Sequence, residues 1–221
     1  MKNALIRGDS GGIGAAVSAH LTAQGVAVTG LSRSRDGLDI TDEASVAAAV
    51  AGLDSPFDLI FVTTGALVID GAEPEKSIRS ITAQAMMDQF ALNCIGPSLV
   101  FKHTHKLLPR QGRGVFAALS ARVGSIGDNS LGGWYSYRTA KAALNQMIHS
   151  ASIELARSRK DAICVALHPG TVETAFTAKY ANAYPTVPAP EAAANLMRVL
   201  DGLTPDNTGQ FYDWAGKQVP W

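Results

Sequence analysis

Short apolar runs alternate with longer alanine-rich stretches along almost the whole chain, and this alternation limits the fold more than any other feature. Ala4–Ile6, Val26–Leu31, Leu59–Val62, Val115–Leu119 and Ile163–Leu167 are rich in Val, Ile and Phe and read as strands. Ile13–Gln24, Glu43–Leu53, Thr82–Leu108 and Tyr137–Ser158 carry helical spacing. A last helix near Glu191–Leu200 follows Pro188 and Pro190, where proline suits a first turn, and Gly209–Asp213 reads as a final strand. Strands separated by helices demand crossover connections, hence a parallel sheet covered on both faces. The nearly all-apolar strands suit that burial. The expectation is an α/β fold, doubly wound, with residues 1–221 as one domain. The one long irregular stretch, Thr171–Ala189, has the length of a lid or binding loop.

Charge narrows the function classes. Lys plus Arg number 19, as do Asp plus Glu, so nothing electrostatic favours nucleic acid or an anionic membrane. No apolar run approaches the roughly 18 residues of a membrane span. The opening MKNALIRGDS breaks at Arg7, which argues against a signal peptide. Cys94 and Cys164 form no CxxC pair, and buried thiols in a reducing cytoplasm are expected. His103 and His105 do not share a helix face, and no HExxH or Cys/His spacing supports a metal.

The first strand runs into Arg7-Gly8-Asp9-Ser10-Gly11-Gly12-Ile13-Gly14, and a helix follows at once. Glycines 8, 12 and 14 allow a tight turn and let backbone amides approach a pyrophosphate at the helix N-terminus. Ser10 is expected to cap the helix or touch phosphate. The same residues match G-x-S-x-G, the elbow of serine hydrolases, with Ser10 as nucleophile and His168 as a conceivable base. That reading lacks the earlier strand and loop an oxyanion hole requires. Farther on, the second strand ends at Gly30-Leu31-Ser32-Arg33. An arginine there pairs with a 2′-phosphate, so Ser32 and Arg33 point to NADP(H) over NAD(H). Asp36 comes too late to hold the ribose, and Asp39-Ile40 falls where the chain should return beneath the adenine.

Tyr137 and Lys141 stand at i and i+4 of a helical pattern, so phenol and ammonium share one face. A nearby ammonium favours phenolate and suits the tyrosine to acid–base work. Four segments, in order, now resemble the short-chain dehydrogenase/reductase family over essentially the whole chain. They are Gly8-x-x-x-Gly12-x-Gly14, Asn93-Cys94-Ile95-Gly96, Tyr137-x-x-x-Lys141 and Pro169-Gly170-Thr171-Val172-Glu173-Thr174. Residues 119–126, 132–137 and 213–221 are similar to the C-factor and sniffer-like carbonyl reductase branch.

The resemblance implies a Rossmann-like fold and roles for individual residues. Tyr137 would exchange a proton with the substrate oxygen. Lys141 would hold the nicotinamide ribose and lower the tyrosine pKa. Asn93 would keep a water in the relay. Gly8, Ser10, Gly12, Ile13 and Gly14 would line the phosphates, and Thr64 and Gly65 would pass under the ribose. Pro169, Gly170, Val172 and Thr174 would shape the nicotinamide site. A homodimer or homotetramer through the helices at Thr82–Leu108 and Tyr137–Ser158 is also implied. The substrate would be a small carbonyl or alcohol, with a signalling protein of C-factor type as the alternative.

Three departures stand out. Arg7 replaces the family's usual threonine, and either adds charge near the phosphates or faces solvent. Thr63-Thr64-Gly65-Ala66 replaces Asn-Asn-Ala-Gly. Ala121 occupies the place of the catalytic serine, leaving Ser120 and Ser125 as substitutes. His168 reads as a hydrogen-bonded structural histidine. Phe176, Tyr180 and Tyr184, with Trp134 and Trp221, either line a pocket or anchor the loop.

Overall fold

A computed structural model of the chain describes residues 1–54, 56–174 and 185–221. Phe176, Tyr180 and Tyr184 lie outside the described residues. Five strands match the apolar runs: β1 (Asn3–Arg7), β2 (Ala27–Leu31), β3 (Leu59–Val62), β4 (Gly114–Leu119) and β5 (Ala162–His168). Short strands β6 (Val172–Glu173) and β7 (Val187–Pro188) pair with each other, and β8 (Phe211–Asp213) closes the main sheet. The main sheet has six strands in the order β2-β1-β3-β4-β5-β8, and every pairing in it is parallel. The helices are α1 (Gly12–Ala23), α2 (Arg33–Asp36), α3 (Glu43–Val50), α4 (Ala83–Phe90), α5 (Gly96–Thr104), α6 (Tyr135–Ser158) and α7 (Ala189–Gly202).

Alternation along each strand feeds two cores. Ile6, Phe61, Ala117 and Val165 point to one face, under Val17 and Leu21 of α1 and Leu196 and Leu200 of α7. Leu5, Ile60, Phe116 and Cys164 point to the other, under Val46 of α3, Val100 of α5 and Leu144 and Ile148 of α6. With both faces dry, polar groups can leave the sheet only at the strand ends. The order reverses between β1 and β3, and such a switch point opens a crevice at the carboxyl ends.

Two local departures refine the expected pattern. No strand forms around Asp39-Ile40. Ile40 is buried against Gly96, where an added Cβ would lie 2.9 Å from its Cγ1. Arg7 faces neither phosphate nor solvent. Only 3% exposed, it donates through Nη1 to Leu31 O (3.2 Å) and through Nη2 to Leu38 O (2.8 Å). Burial holds its pKa below the ordinary arginine value. The guanidinium thus joins the end of β2 to the irregular segment that follows α2.

Leu144 is wholly buried on the helix that carries Tyr137 and Lys141. Leu144→Ala is expected to cost about 2–5 kcal/mol, read as a lower urea midpoint with an unchanged slope.

Candidate active site

A cleft of about 780 Å³ opens at the carboxyl edge of the sheet. Its floor near β1 is the glycine turn. The backbone is tight there: a Cβ on Gly14 would fall 2.2 Å from Gly8 O, and one on Gly12 would fall 2.5 Å from Thr174 Cγ2. No side chain caps α1, so Ser10 does not serve as its cap, and the amides of the first turn are available to an anion. Gly12, Ile13, Gly14, Thr64, Gly65, Ser120, Tyr137, Lys141, Pro169, Gly170, Val172 and Thr174 all line this one cleft.

The remaining expected residues sit apart from it. Ser32 is buried; its hydroxyl accepts from Arg35 N, and its amide donates to Asp36. Arg33 is exposed at the start of α2. Arg35, which the sequence reading passed over, pairs with Asp9 of the glycine turn beside Gly30. Asp39 is exposed, and its carboxylate accepts from Thr41 N at 2.9 Å. That turn lowers its pKa.

Tyr137 and Lys141 emerge from the first turns of α6. Gly124 permits this placement, because a Cβ there would lie 2.8 Å from Lys141 Cβ. Lys141 Nζ donates to Leu119 O at 2.9 Å and lies 5.8 Å from the Tyr137 ring centre. Burial acts on both groups. It pushes the Tyr137 phenol above its ordinary value and takes Lys141 down to about 7, with Cys94 opposing the latter. Desolvation, and not the expected lowering by an ammonium neighbour, sets the direction of the phenol's shift.

Asn93 sits on a π-helical turn, Ala91–Ile95, between α4 and α5. Its amide donates to Ala66 O (2.9 Å) and Gln89 Oε1 (2.6 Å), and its Oδ1 accepts from Ala66 N (3.2 Å). These bonds fix the strand-end loop at Gly65, where a Cβ would stand 2.8 Å from Asn93 Oδ1 and 3.4 Å from Lys141 Nζ. Asn93 therefore packs directly behind the cleft wall rather than lining it.

Ser120 lines the cleft and Ser125 does not, and the hydroxyl of each already donates to a protein acceptor. Ser120 Oγ donates to Asn145 Oδ1 at 2.6 Å in a buried pair. Ser125 Oγ donates to Pro220 O and accepts from Asp128 N at 3.0 Å. Ser125 thus ties the loop before α6 to the C-terminus, as does Gly127 N on Trp221 O (2.7 Å). Trp221 stacks on Phe211 and meets His149, away from the cleft, whereas Trp134 lines it and packs edge-on to Tyr137. Sequence reasoning also missed Glu75. Its carboxylate accepts from Ser136 N (3.2 Å) and Oγ, and its carbonyl accepts from Trp134 N (2.6 Å). No short-range motif marks that residue, since it lies 61 positions away in sequence.

His168 lines the cleft but is not hydrogen-bonded through Nδ1, which is buried with no partner. Burial lowers its pKa to about 4. An orphaned Nδ1 has no carboxylate to orient it as a base, and Ser10 does not line the cleft that His168 lines. The arrangement gives the hydrolase reading no support. Among the described residues no group of three or more metal-binding side chains occurs.

The glycine turn, the YxxxK helix and the Pro-Gly loop thus share one wall-to-wall cleft. A family profile described as enoyl-(acyl carrier protein) reductase matches residues 8–211. The chain belongs to the short-chain dehydrogenase/reductase family. Its motifs place it in the C-factor and sniffer-like branch of that family of oxidoreductases. It is 32% identical over 207 residues to a 1-hydroxy-2-glutathionyl-2-methyl-3-butene dehydrogenase of Rhodococcus sp., spanning 92% of this chain and 84% of that one. It is 38% identical over 139 residues to the C-signal protein of Myxococcus xanthus, spanning 62% of this chain and 78% of that one. A Burkholderia multivorans structure with bound NADP superposes with a TM-score of 0.81 at 25% identity, covering 100% of this chain and 99% of that one.

Lys141 carries a pH signature. Its pKa falls from 10.5 to about 7 on folding, so between those values the unfolded chain holds the extra proton. Stability should then rise with pH across that window, while Tyr137 acts in the opposite sense only above its ordinary value near pH 10. The urea midpoint of the cofactor-free protein is expected to climb from pH 7 to 9.5, and Lys141→Met to abolish the climb.

Proposed function

We propose that this chain is an NADP(H)-dependent oxidoreductase acting on a small carbonyl or alcohol, with Tyr137 as proton donor and acceptor. The observation that carries the reading is the convergence of Tyr137, Lys141 and the uncapped α1 turn on one cleft. The tight glycine turn, which a Cβ at Gly14 would fill, and a volume of about 780 Å³ suit a dinucleotide. NADP(H), when bound, supplies or accepts the hydride. The amides of Gly12 and Ile13 would hold its phosphates, Thr64 and Gly65 its ribose side, and Val172 and Thr174 its nicotinamide end.

Tyr137 releases a proton to the substrate oxygen in reduction and takes it back in oxidation. Lys141 holds the nicotinamide ribose beside it. A charged Lys141 lowers the phenol pKa, so catalysis needs the ammonium that burial disfavours in the empty cleft. Asn93, fixed on the π turn, connects Lys141 to solvent through a retained water. Reduction is the preferred direction, as NADPH serves reduction in this family. Exposed Leu131 and half-buried Trp134 make the lip apolar on the substrate side.

Arg33 is exposed at the end of β2, where a 2′-phosphate would meet it. Met87, Ile95 and Ile153 are exposed on the helices that would carry a dimer or tetramer contact. The cytoplasm is the proposed compartment, in keeping with the unpaired thiols of Cys94 and Cys164. Among the described residues no helix is long and apolar enough to cross a membrane.

A second reading is a nucleotide-binding signalling protein with little turnover, favoured by Ala121 and the C-signal relationship. Steady-state assays with NADPH and a carbonyl panel separate the two. On the first reading Tyr137→Phe loses about 10²–10⁴-fold in kcat while keeping NADPH affinity. Tight NADPH binding with no turnover by the wild type would favour the second. Arg33→Ala is expected to weaken NADPH about tenfold and leave NADH unchanged, as titration calorimetry would read.

A further inference from the structure

The serines expected to meet a carbonyl oxygen beside Tyr137 are engaged elsewhere, and Ser130, which also lines the cleft, is exposed on the loop before α6. Position 121 is alanine, Ser120 is committed to Asn145, and Ser125 is committed to Pro220 and Asp128. A carbonyl that gains negative charge in the transition state needs a second donor besides the phenol.

One ring lines the same cleft. β4 and β5 are parallel, with Leu119 opposite Leu167 and Ser120 N donating to Leu167 O at 2.8 Å. Residue 168, the last of β5, therefore lies at the strand end beside residue 120, and His168 lines the same cleft as Ala121 and Tyr137. The ring has two distinct edges. Nδ1 is enclosed without a partner, and a buried, unpaired N–H costs more than a buried lone pair facing apolar atoms. The proton of the neutral ring therefore belongs on Nε2, the nitrogen left to meet a group in the cleft.

Several charges surround the ring. Arg122 lies near it, bridging to Asp128 (Nε–Oδ2, 2.6 Å) and Asp213 (Nη1–Oδ2, 3.6 Å), and Asp213 is opposite His168 in the β5–β8 register. The guanidinium and burial disfavour a charged imidazole, and the two carboxylates oppose them more weakly. At neutral pH the ring is a neutral donor.

We propose that His168, through Nε2–H, polarises the substrate oxygen in place of the absent serine. The assignment rests on the oxidoreductase reading above. His168 donates a hydrogen bond and keeps its proton; Tyr137 alone transfers one.

The test uses the full chain with NADPH and two probes, para-nitrobenzaldehyde and menadione. His168→Leu is expected to lower kcat about a hundredfold with NADPH affinity unchanged. His168→Gln, whose amide reaches the Nε2 position, should keep most of the rate. Ala121→Ser in the His168→Leu background should recover much of the loss, which no purely structural role of the ring predicts. Nitrogen-15 NMR of the free protein should show the His168 ring neutral and protonated on Nε2 from pH 5.5 to 8. A proton on Nδ1, a charged ring at pH 7, or His168→Leu turning over within about threefold of wild type overturns the assignment. So does a loss on Ser130→Ala that His168→Leu does not show. If the wild type reduces a probe and His168→Leu matches it, only the donor is wrong. If the wild type neither binds NADPH nor reduces either probe, the oxidoreductase reading falls and takes the donor with it.

Discussion

Burial of the sheet on both faces is the constraint from which the rest follows. β3 and β4 are buried along their whole length, and β5 up to His168, where the burial first breaks. A strand with dry neighbours above and below has no place for a polar side chain that lacks partners. Chemistry is displaced to the carboxyl ends, where the chain turns into loops and helix N-termini. The reversal of strand order between β1 and β3 then makes those ends diverge, and the cleft lies where they do. Glycines 14 and 124 belong to the same constraint, since each lets a helix sit too close to a strand end for any side chain between them.

That closeness has an electrostatic consequence. Lys141 is drawn so far into the protein that its ammonium faces a carbonyl rather than water, and the phenol beside it is buried too. Burial leans both groups toward neutrality. A bound dinucleotide with its phosphates and ribose hydroxyls would change that balance in favour of the ammonium.

The altered positions are not scattered. Arg7, Thr63 and Ala121 all lie at or just beyond strand ends. Arg7 has become a buried brace for Leu31 and Leu38, and Thr63 accepts that rearrangement by donating to Arg7 O at 2.9 Å. Ser125 has become a tie to the C-terminal residues, which hold the loop leading to Tyr137.

The alternation of apolar runs by itself determined the layers and the parallel sheet, because period and composition act locally, but not the break of the expected Thr82–Leu108 helix into α4, the π turn at Ala91–Ile95 and α5. The Gly8–Gly14 spacing and the Tyr137–Lys141 pair were legible for the same reason: turn geometry and helix pitch are properties of neighbouring residues. Only the tertiary structure decided where Arg7 points, which partners occupy Ser120 and Ser125, that Glu75 caps α6 and that His168 Nδ1 is left unpaired. Each depends on a partner tens of residues away or on burial from several elements at once. The sequence could place a tyrosine and a lysine on one helix face, but the sign of their pKa shifts came from how deeply the fold buries them.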